Sequence, residues 1–179
     1  NSYEDGENSI ISFPEFLLLV LDVCTGGEQP ASHYQPDKLI EKFDALKTYF
    51  TAGEFYEKML YYRLLLDYYT IRRDIKDGQG NYSLILKGPK DDSDKLKQYQ
   101  SMLYVSTEAF YNWLKPYLRK LEQDELHSCA EMLAFLKKGD NERHSILPAR
   151  KDLSYKASGN IRYWFWRLDY YLWEQRSTF

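Results

Sequence analysis

The sequence predicts an all-α fold: an irregular multi-helix bundle of about seven helices with at most one short β-hairpin. Apolar residues recur at steps of three and four in every long segment, which is the spacing of an amphipathic helix. Apolar residues alternate with smaller or polar ones, as in a half-buried strand, at residues 82–86. These two patterns together favour a bundle with one small strand element.

The chain has 179 residues, of which 17% are aromatic and 28% are charged. This length suffices for a substantial core, so we expect residues 1–179 to form a single helical domain. Because the chain opens on Asn1 and an aromatic-rich segment leads to Phe179, we expect a fragment of a longer chain. Residues 1–12 and 142–159 are polar and are expected to be flexible segments.

Ser12 and Pro14 mark the predicted start of the first helix, because serine caps helices and proline is tolerated in a first turn. Gly26 and Gly27 are expected to end it, and a second helix is expected after Pro36. The apolar positions of these two helices are Phe13, Phe16, Leu17, Val20, Leu21, Cys24, Leu39, Ile40, Phe43, Leu46 and Phe50.

The strongest periodic signal follows Gly53, where apolar residues alternate at steps of four and three. This spacing predicts the seam of a long packed helix, with Leu66 buried at its centre. Arg63 and Asp67 are four residues apart and are expected to pair along the helix surface. The seam consists of Phe55, Met59, Tyr62, Leu66 and Tyr69.

A turn at residues 77–80 precedes the predicted strand, and a charged loop follows at 87–94. Ser106 or Thr107 is expected to cap the helix after the next one. Pro116 is expected to kink or divide that helix, because proline removes a backbone donor. The apolar positions of the two helices are Leu96, Tyr99 and Leu103, then Phe110, Trp113, Leu114, Tyr117 and Leu121.

A sixth helix is predicted over residues 122–135, with residues 139–141 as its stop signal. A last helix, apolar on a broad face, follows the polar segment 142–159. The apolar positions are Leu126, Cys129, Met132 and Leu136 in the sixth helix, and Ile161, Trp164, Phe165, Leu168, Tyr171 and Leu172 in the last.

The residue types that carry chemistry are scattered along the chain. His33, His127 and His144 lack a second ligand at metal-binding spacing, and no glycine-rich phosphate loop is present. Cys24 and Cys129 lie in apolar segments and are expected to be buried free thiols. We therefore predict a chain that is not an enzyme, with no catalytic residue, no metal ligand and no cofactor.

Charge and hydropathy restrict the partners and the compartment. The formal net charge is −3, whereas a nucleic-acid-binding domain normally carries a basic excess, so no direct nucleic-acid binding is expected. No apolar run reaches the roughly 18 residues that a membrane span requires. The polar, acidic start is unlike a secretory signal, which makes a cytoplasmic location the expectation.

The last helix carries more large rings than one core contact needs, so some are expected to remain exposed and to form a docking surface. Interleaved arginines would also suit stacking of single-stranded bases, but the acidic neighbours Asp169 and Glu174 favour protein docking. The predicted docking surface comprises Arg162, Trp164, Trp166, Arg167, Tyr170 and Trp173.

Four groups of residues resemble the helical middle region of the GmrSD-like type IV restriction endonucleases. They are Phe13-Pro14-Glu15-Phe16-Leu17-Leu18 with Lys38-Leu39-Ile40-Glu41-Lys42-Phe43; Tyr62-Arg63-Leu64-Leu65-Leu66-Asp67-Tyr68-Tyr69-Thr70-Ile71-Arg72-Arg73; Gln100-Ser101-Met102-Leu103-Tyr104-Val105-Ser106 with Trp113-Leu114; and Trp164-Phe165-Trp166-Arg167-Leu168-Asp169-Tyr170-Tyr171-Leu172-Trp173-Glu174.

Such proteins join an N-terminal ParB-like domain, associated with nucleotide use, to a C-terminal HNH domain. The resemblance implies a role for a parent protein and carries no catalytic residue onto this chain. Asp77-Gly78-Gln79 is superficially similar to the family's Asp-Gly-Gln-Gln-Arg-type motif, but Gly80 and Asn81 replace its last two residues.

Our first functional hypothesis is a non-catalytic helical spacer or coupling domain of a modification-dependent DNA restriction endonuclease. Its partners would be the flanking domains of the parent protein, with a homodimer as a further arrangement. The rival hypothesis is a stand-alone protein–protein interaction module with an aromatic docking surface. An enzyme with an unfamiliar site of tyrosine and arginine is a third hypothesis.

Overall fold

The computed structural model describes residues 6–75, 81–90, 93–146 and 161–176. Within these ranges the chain forms seven α-helices and one small sheet, which confirms the prediction of a largely helical fold. The helices are α1 (Phe13–Cys24), α2 (Leu39–Leu46), α3 (Ala52–Tyr69), α4 (Ser93–Val105), α5 (Phe110–Glu122), α6 (Cys129–Arg143) and α7 (Ile161–Arg176).

The sheet has three antiparallel strands in the order β1 (Gly6–Ser9), β2 (Ile71–Ile75) and β3 (Tyr82–Leu86). The strand β3 is the predicted strand at residues 82–86, and it pairs with β2, with Ile71 opposite Leu86. The sheet has three strands, where at most one hairpin was expected. The strand β1 adds to the free edge of β2, with Ser9 opposite Arg72. Residues 6–9 therefore lie in a sheet rather than in the flexible segment expected for 1–12, while residues 1–5 lie outside the described ranges.

Three helices begin with the same local device, a capping box. Ser12, Thr51 and Ser128 each accept a hydrogen bond from the backbone N–H three residues later, and a glutamate there bonds back to the cap residue. The boxes satisfy backbone donors that a helix start leaves unpaired. The box at Ser128 also corrects a boundary, because the helix predicted from residue 122 begins at Cys129.

The core is built around α1, whose four consecutive residues 18–21 are fully buried. The helix α1 packs against α2 and α3, and α4 packs against α6 and α7. The predicted seam of α3 faces inward, with Tyr62 and Leu66 buried and Phe55, Met59 and Tyr69 half-buried. The predicted pair also forms, with Arg63 Nε 2.8 Å from Asp67 Oδ2.

The end of α1 is fixed by a buried carboxylate. Gly26 and Gly27 both have positive φ, so the predicted stop of this helix is confirmed. Asp22 accepts hydrogen bonds from the Gln29 backbone N–H at 2.8 Å, the Tyr34 hydroxyl at 2.5 Å and Lys115 Nζ at 2.9 Å. These bonds join the loop after α1 to α5.

The predicted cap of α5 is wrong, and the predicted division of α5 at Pro116 does not occur. Its N-cap is Ala109, while the Ser106 hydroxyl donates to the Leu103 carbonyl, so neither Ser106 nor Thr107 is the cap. Pro116 does not divide the helix, which is continuous. Pro116 lacks the N–H that would bond the carbonyl of Asn112, and Arg143 of α6 donates to that carbonyl oxygen instead, at 2.8 Å.

The helix α6 continues past its predicted stop. Gly139 and Asp140 lie inside it, and it ends at Arg143, so part of the segment 142–159 is helical. Asp140 is fully buried and hydrogen-bonded within the bundle, a long-range contact that outweighs the weak helix propensity of glycine. Residues 147–160, which contain most of that segment, lie outside the described ranges.

Two leucines of α3 provide a matched test of the core. The side chain of Leu66 is 1% exposed and that of Leu64 is 68% exposed. We expect Leu66→Ala to lower the free energy of unfolding by about 2–5 kcal/mol, because it leaves a cavity. Leu64→Ala should change it by less than about 0.5 kcal/mol. Urea unfolding measures both, and equal losses would contradict the assigned face.

The imidazole of His33 predicts a pH dependence. It is buried, its Nε2 lies 2.8 Å from the Leu18 carbonyl oxygen, and its Nδ1 has no hydrogen-bond partner among the described residues. Because a carbonyl only accepts, Nε2 carries the proton and Nδ1 is unprotonated. Burial lowers the pKa of His33 from its ordinary 6.5, although the bond to Leu18 and the charge of Asp22 oppose this.

A lowered pKa means that the folded state disfavours protonation. The stability linked to this group is therefore present above pH 6.5 and lost as the pH falls below it, toward the pKa of the folded state. His33→Gln retains a hydrogen-bond donor but does not titrate. The free energy of unfolding of this variant should therefore change less with pH between about pH 7.5 and about pH 5. Urea unfolding at a series of pH values measures this, and an unchanged pH dependence in His33→Gln would contradict the role of His33.

Candidate docking surface

The helix α7 carries the predicted docking residues, and two buried tyrosines hold it against the bundle. Tyr163 and Tyr170 are its buried side chains. The Tyr170 ring packs edge-on against Tyr99 of α4, with 4.8 Å between ring centroids. These inward rings fix which face of α7 points to solvent.

Asp140 of α6 forms the polar anchor of α7. Its two oxygens accept hydrogen bonds from the hydroxyls of Tyr99 and Tyr163, each at 2.7 Å. Burial, and then the hydrogen bond and the charge of Asp140, raise the pKa of both tyrosines, so their hydroxyls remain donors. Asp140 thereby joins α4, α6 and α7 at one point.

Basic side chains surround the buried carboxylate. Side-chain nitrogens of Arg143, His144 and Arg167 each lie 3.9 Å from an oxygen of Asp140. The Arg167 guanidinium also donates to the Tyr163 hydroxyl at 2.8 Å and to the side chain of Asn141. A buried carboxylate with these partners meets the requirement that buried charges be paired and hydrogen-bonded.

Lys137 forms a second anchor one turn earlier on α6. Its ammonium donates to Glu174 at 2.6 Å and lies between 5.3 and 5.9 Å from the ring centroids of Tyr99, Tyr170 and Tyr171. Burial pushes the pKa of Glu174 upward, but the hydrogen bonds from Lys137 and Tyr170 outweigh it and hold the pKa below its usual value. The carboxylate therefore stays charged opposite Lys137.

The structure separates the six predicted docking residues into two groups. Tyr170 is 4% exposed and belongs to the core, and most of the Arg167 side chain is buried in the Asp140 cluster, so neither presents a free surface. Both predictions are corrected by contacts with α4 and α6. The other four are accessible, with Arg162 and Trp166 exposed and Trp164 and Trp173 half-buried.

Sequence reasoning missed the most exposed apolar side chains of α7. Phe165, Leu168 and Leu172 are 46%, 55% and 47% exposed and follow the steps of three and four that share one helix face. We call these three residues the α7 face. The spacing that reveals them was visible in the sequence as part of a broad apolar face, but the predicted docking surface did not include them.

A shallow hollow borders this helix on the α4 side. Its volume is about 200 Å³, and Met102, Val105, Trp166 and Trp173 contribute to its lining. The two tryptophans therefore cover part of α4 while leaving ring surface accessible. Accessible indole beside aliphatic side chains suits protein contacts, because tryptophan has an apolar body and a polar N–H.

The histidine and cysteine side chains, the residue types that could serve catalysis or metal binding, lie apart from one another. His33 is buried in the loop after α1, His127 is exposed before α6, and His144 stacks on Tyr163 with 3.9 Å between centroids. Cys24 and Cys129 are free thiols, the first half-buried and the second buried. Within the described ranges no group of three or more His, Cys, Asp or Glu side chains is arranged to hold a metal ion.

The described helices also lack any segment long and apolar enough to cross a membrane.

Comparison of the chain with protein-family models, curated proteins and solved structures gives no match. The resemblance to the restriction endonucleases stays a prediction from the sequence motifs.

The Asp140 cluster generates a stability prediction. Tyr163→Phe removes a hydrogen bond to buried Asp140 and the acceptor of Arg167, so it should lower the free energy of unfolding by about 1–3 kcal/mol. Tyr56→Phe removes the same hydroxyl from an exposed ring and should have an effect near zero. Guanidinium unfolding of both variants checks this, and similar values would refute the anchor.

Proposed function

We propose that this chain is a non-catalytic helical module that docks onto another protein domain through the outer side of α7. The observation that carries the proposal is the α7 face, three large apolar side chains that stay about half exposed on a well-anchored helix. Contiguous apolar patches on the surface of a domain mark interaction sites. The partly accessible rings of Trp166 and Trp173 lie on the flank of α7 that borders α4.

The anchoring of α7 supports docking, because contacts with α6 hold the helix in one position. Asp140 and Lys137 of α6 bind the inner side of α7 through four of its residues, Tyr163, Arg167, Tyr170 and Glu174. A partner therefore meets a preorganised face, and little conformational entropy is lost when the complex forms. Arg162 and Asp169 are exposed beside it and would orient the partner more than tighten it.

The motif resemblance supports a specific setting. We propose that the parent protein is a cytoplasmic, modification-dependent DNA restriction endonuclease in which this module spaces and couples two catalytic domains. In that setting the HNH domain is the partner of the α7 face, since the family's aromatic stretch precedes it. A stand-alone interaction module is the alternative, and for it the partner would be a separate protein.

The test uses the longest natural polypeptide that contains the chain. We expect Leu168→Glu with Leu172→Glu to lower its restriction of phage with modified DNA by about 100-fold, because charges in an apolar interface cost several kcal/mol. Ile40→Glu, at an apolar side chain that is 73% exposed on α2, is the matched control and should restrict normally. Efficiency of plating measures both variants.

The outcomes test the endonuclease setting and docking through the α7 face separately. Absence of restriction by the unaltered polypeptide contradicts the endonuclease setting. Normal restriction by the double variant contradicts docking through the α7 face. Equal loss in the Ile40→Glu control also contradicts it, because the effect would then not be specific to α7.

A further inference from the structure

A second apolar surface lies on α3, opposite its buried seam. Tyr56, Leu60, Leu64 and Tyr68 follow one another at steps of four, and Tyr61 lies beside Leu60 and Leu64. All five are 43–68% exposed. We call these five residues the α3 face. Residues at steps of four form a continuous ridge on a helix, which is the feature that packs into a groove of a second helix.

The charges around the α3 face are acidic. Glu54 and Glu57 are exposed, and among the described residues neither has a basic side chain within ion-pair distance. The two cations of α3 are already engaged, since Lys58 pairs with Glu122 and Arg63 pairs with Asp67. The Glu54 carboxylate is bonded to its cap residue Thr51, whereas Glu57 has no hydrogen-bond or ion-pair partner among the described residues. The face therefore combines an apolar ridge with acidic side chains at its N-terminal end, of which Glu57 is the one still open to a partner.

A hollow at that end has a mainly acidic lining. It has a volume of about 380 Å³ and is lined by Glu54, Glu57, Lys58, Tyr61 and Glu122. The lining holds three carboxylates and one ammonium, with the aromatic ring of Tyr61 beside them. Lys58 pairs with Glu122, so the lining keeps an excess of negative charge. Carboxylates and a ring are the groups that bind a lysine or arginine head, through charge-assisted hydrogen bonds and cation–π contact.

We propose that the α3 face binds an amphipathic helix of a partner protein that carries leucine-type side chains on one face and lysine or arginine at its edge. The partner's apolar ridge packs across Leu60 and Leu64, at the crossing angle of about −50° that ridges at steps of four produce. Its basic residue enters the hollow beside Glu57. This surface lies on a different helix from the α7 face and does not depend on the function proposed above.

Charge complementarity selects this occupant over others. In a symmetric pair of copies the same patch meets itself, and α3 of the second copy would bring no unpaired cation to Glu57, because Lys58 and Arg63 already pair with Glu122 and Asp67. Nucleic acid would bring phosphates to the same carboxylates. A basic amphipathic helix satisfies the apolar ridge and the acidic hollow together.

The experiment uses two fluorescein-labelled 18-residue peptides with leucine at the same helical positions and either lysine or glutamate elsewhere. Fluorescence anisotropy with the whole chain should show saturable binding of the lysine peptide, weakened by added salt, and no binding of the glutamate peptide. We expect Leu64→Ser to weaken binding about tenfold and Glu57→Lys by a similar factor. Leu168→Ser, on α7, is the matched control and should bind as the unaltered chain does.

Sedimentation of the same variants tests whether a second copy of the chain occupies the α3 face instead. If the chain forms a dimer that Leu64→Ser dissociates, a second copy is the occupant and the proposal is wrong. Equal weakening by Leu64→Ser and Leu168→Ser, or equal binding of both peptides, also overturns it. Both leucines are exposed, so the variants should retain the melting curve of the unaltered chain, and Glu57→Lys provides an independent readout that leaves the apolar ridge intact.

Discussion

The pairing of Asp140 with two tyrosine hydroxyls determines how the C-terminal half of the molecule is assembled. A fully buried carboxylate needs partners, and here they come from three helices: Tyr99 from α4, Tyr163 from α7, and Arg143 from α6 itself. Removing one partner leaves a buried charge short of a hydrogen bond. The requirement to satisfy Asp140 therefore fixes the position of α7 and its rotation about its own axis, which apolar packing alone specifies less sharply.

The same end of α6 also completes α5. Arg143 bonds the carbonyl that Pro116 leaves without a donor, and its Nε lies 3.4 Å from Glu108, just before α5. A helix that contains an internal proline is normally destabilised by the lost bond and by the clash of the ring. Here the arginine replaces the lost bond from outside the helix. The polar end of α6 thus supports α5 on one side and α7 on the other.

The features of the fold that could be predicted depend on patterns among residues close together in the sequence. Steps of three and four located the cores of the helices, Gly26 and Gly27 gave the end of α1, and alternation gave β3. Ser128 and Glu131 also carried a readable capping-box signal for the start of α6, which helical spacing alone placed too early.

What the sequence did not reveal depends on contacts between distant segments. The polar strand β1 forms because β2 offers an open edge. The helix α6 passes Gly139 because Asp140 is bound by tyrosines of other helices. Tyr170 and Arg167 were placed on the docking surface by residue type, and their burial follows from Tyr99 and Asp140, which only the assembled bundle brings next to them.

Anchoring and exposure are linked in both surface helices. The helix α3 buries Tyr62 and Leu66 on one side and exposes Leu60 and Leu64 on the other, while α7 buries Tyr163 and Tyr170 and exposes Leu168 and Leu172. A helix that only completes a core needs one apolar stripe, and its other side is normally polar. A second stripe adds nothing to the fold and exposes apolar surface to water, so it is better explained by contacts outside the bundle. The two outer stripes differ in their surroundings, acidic around α3 and of mixed charge around α7, which suits them to two different partners rather than to one continuous interface.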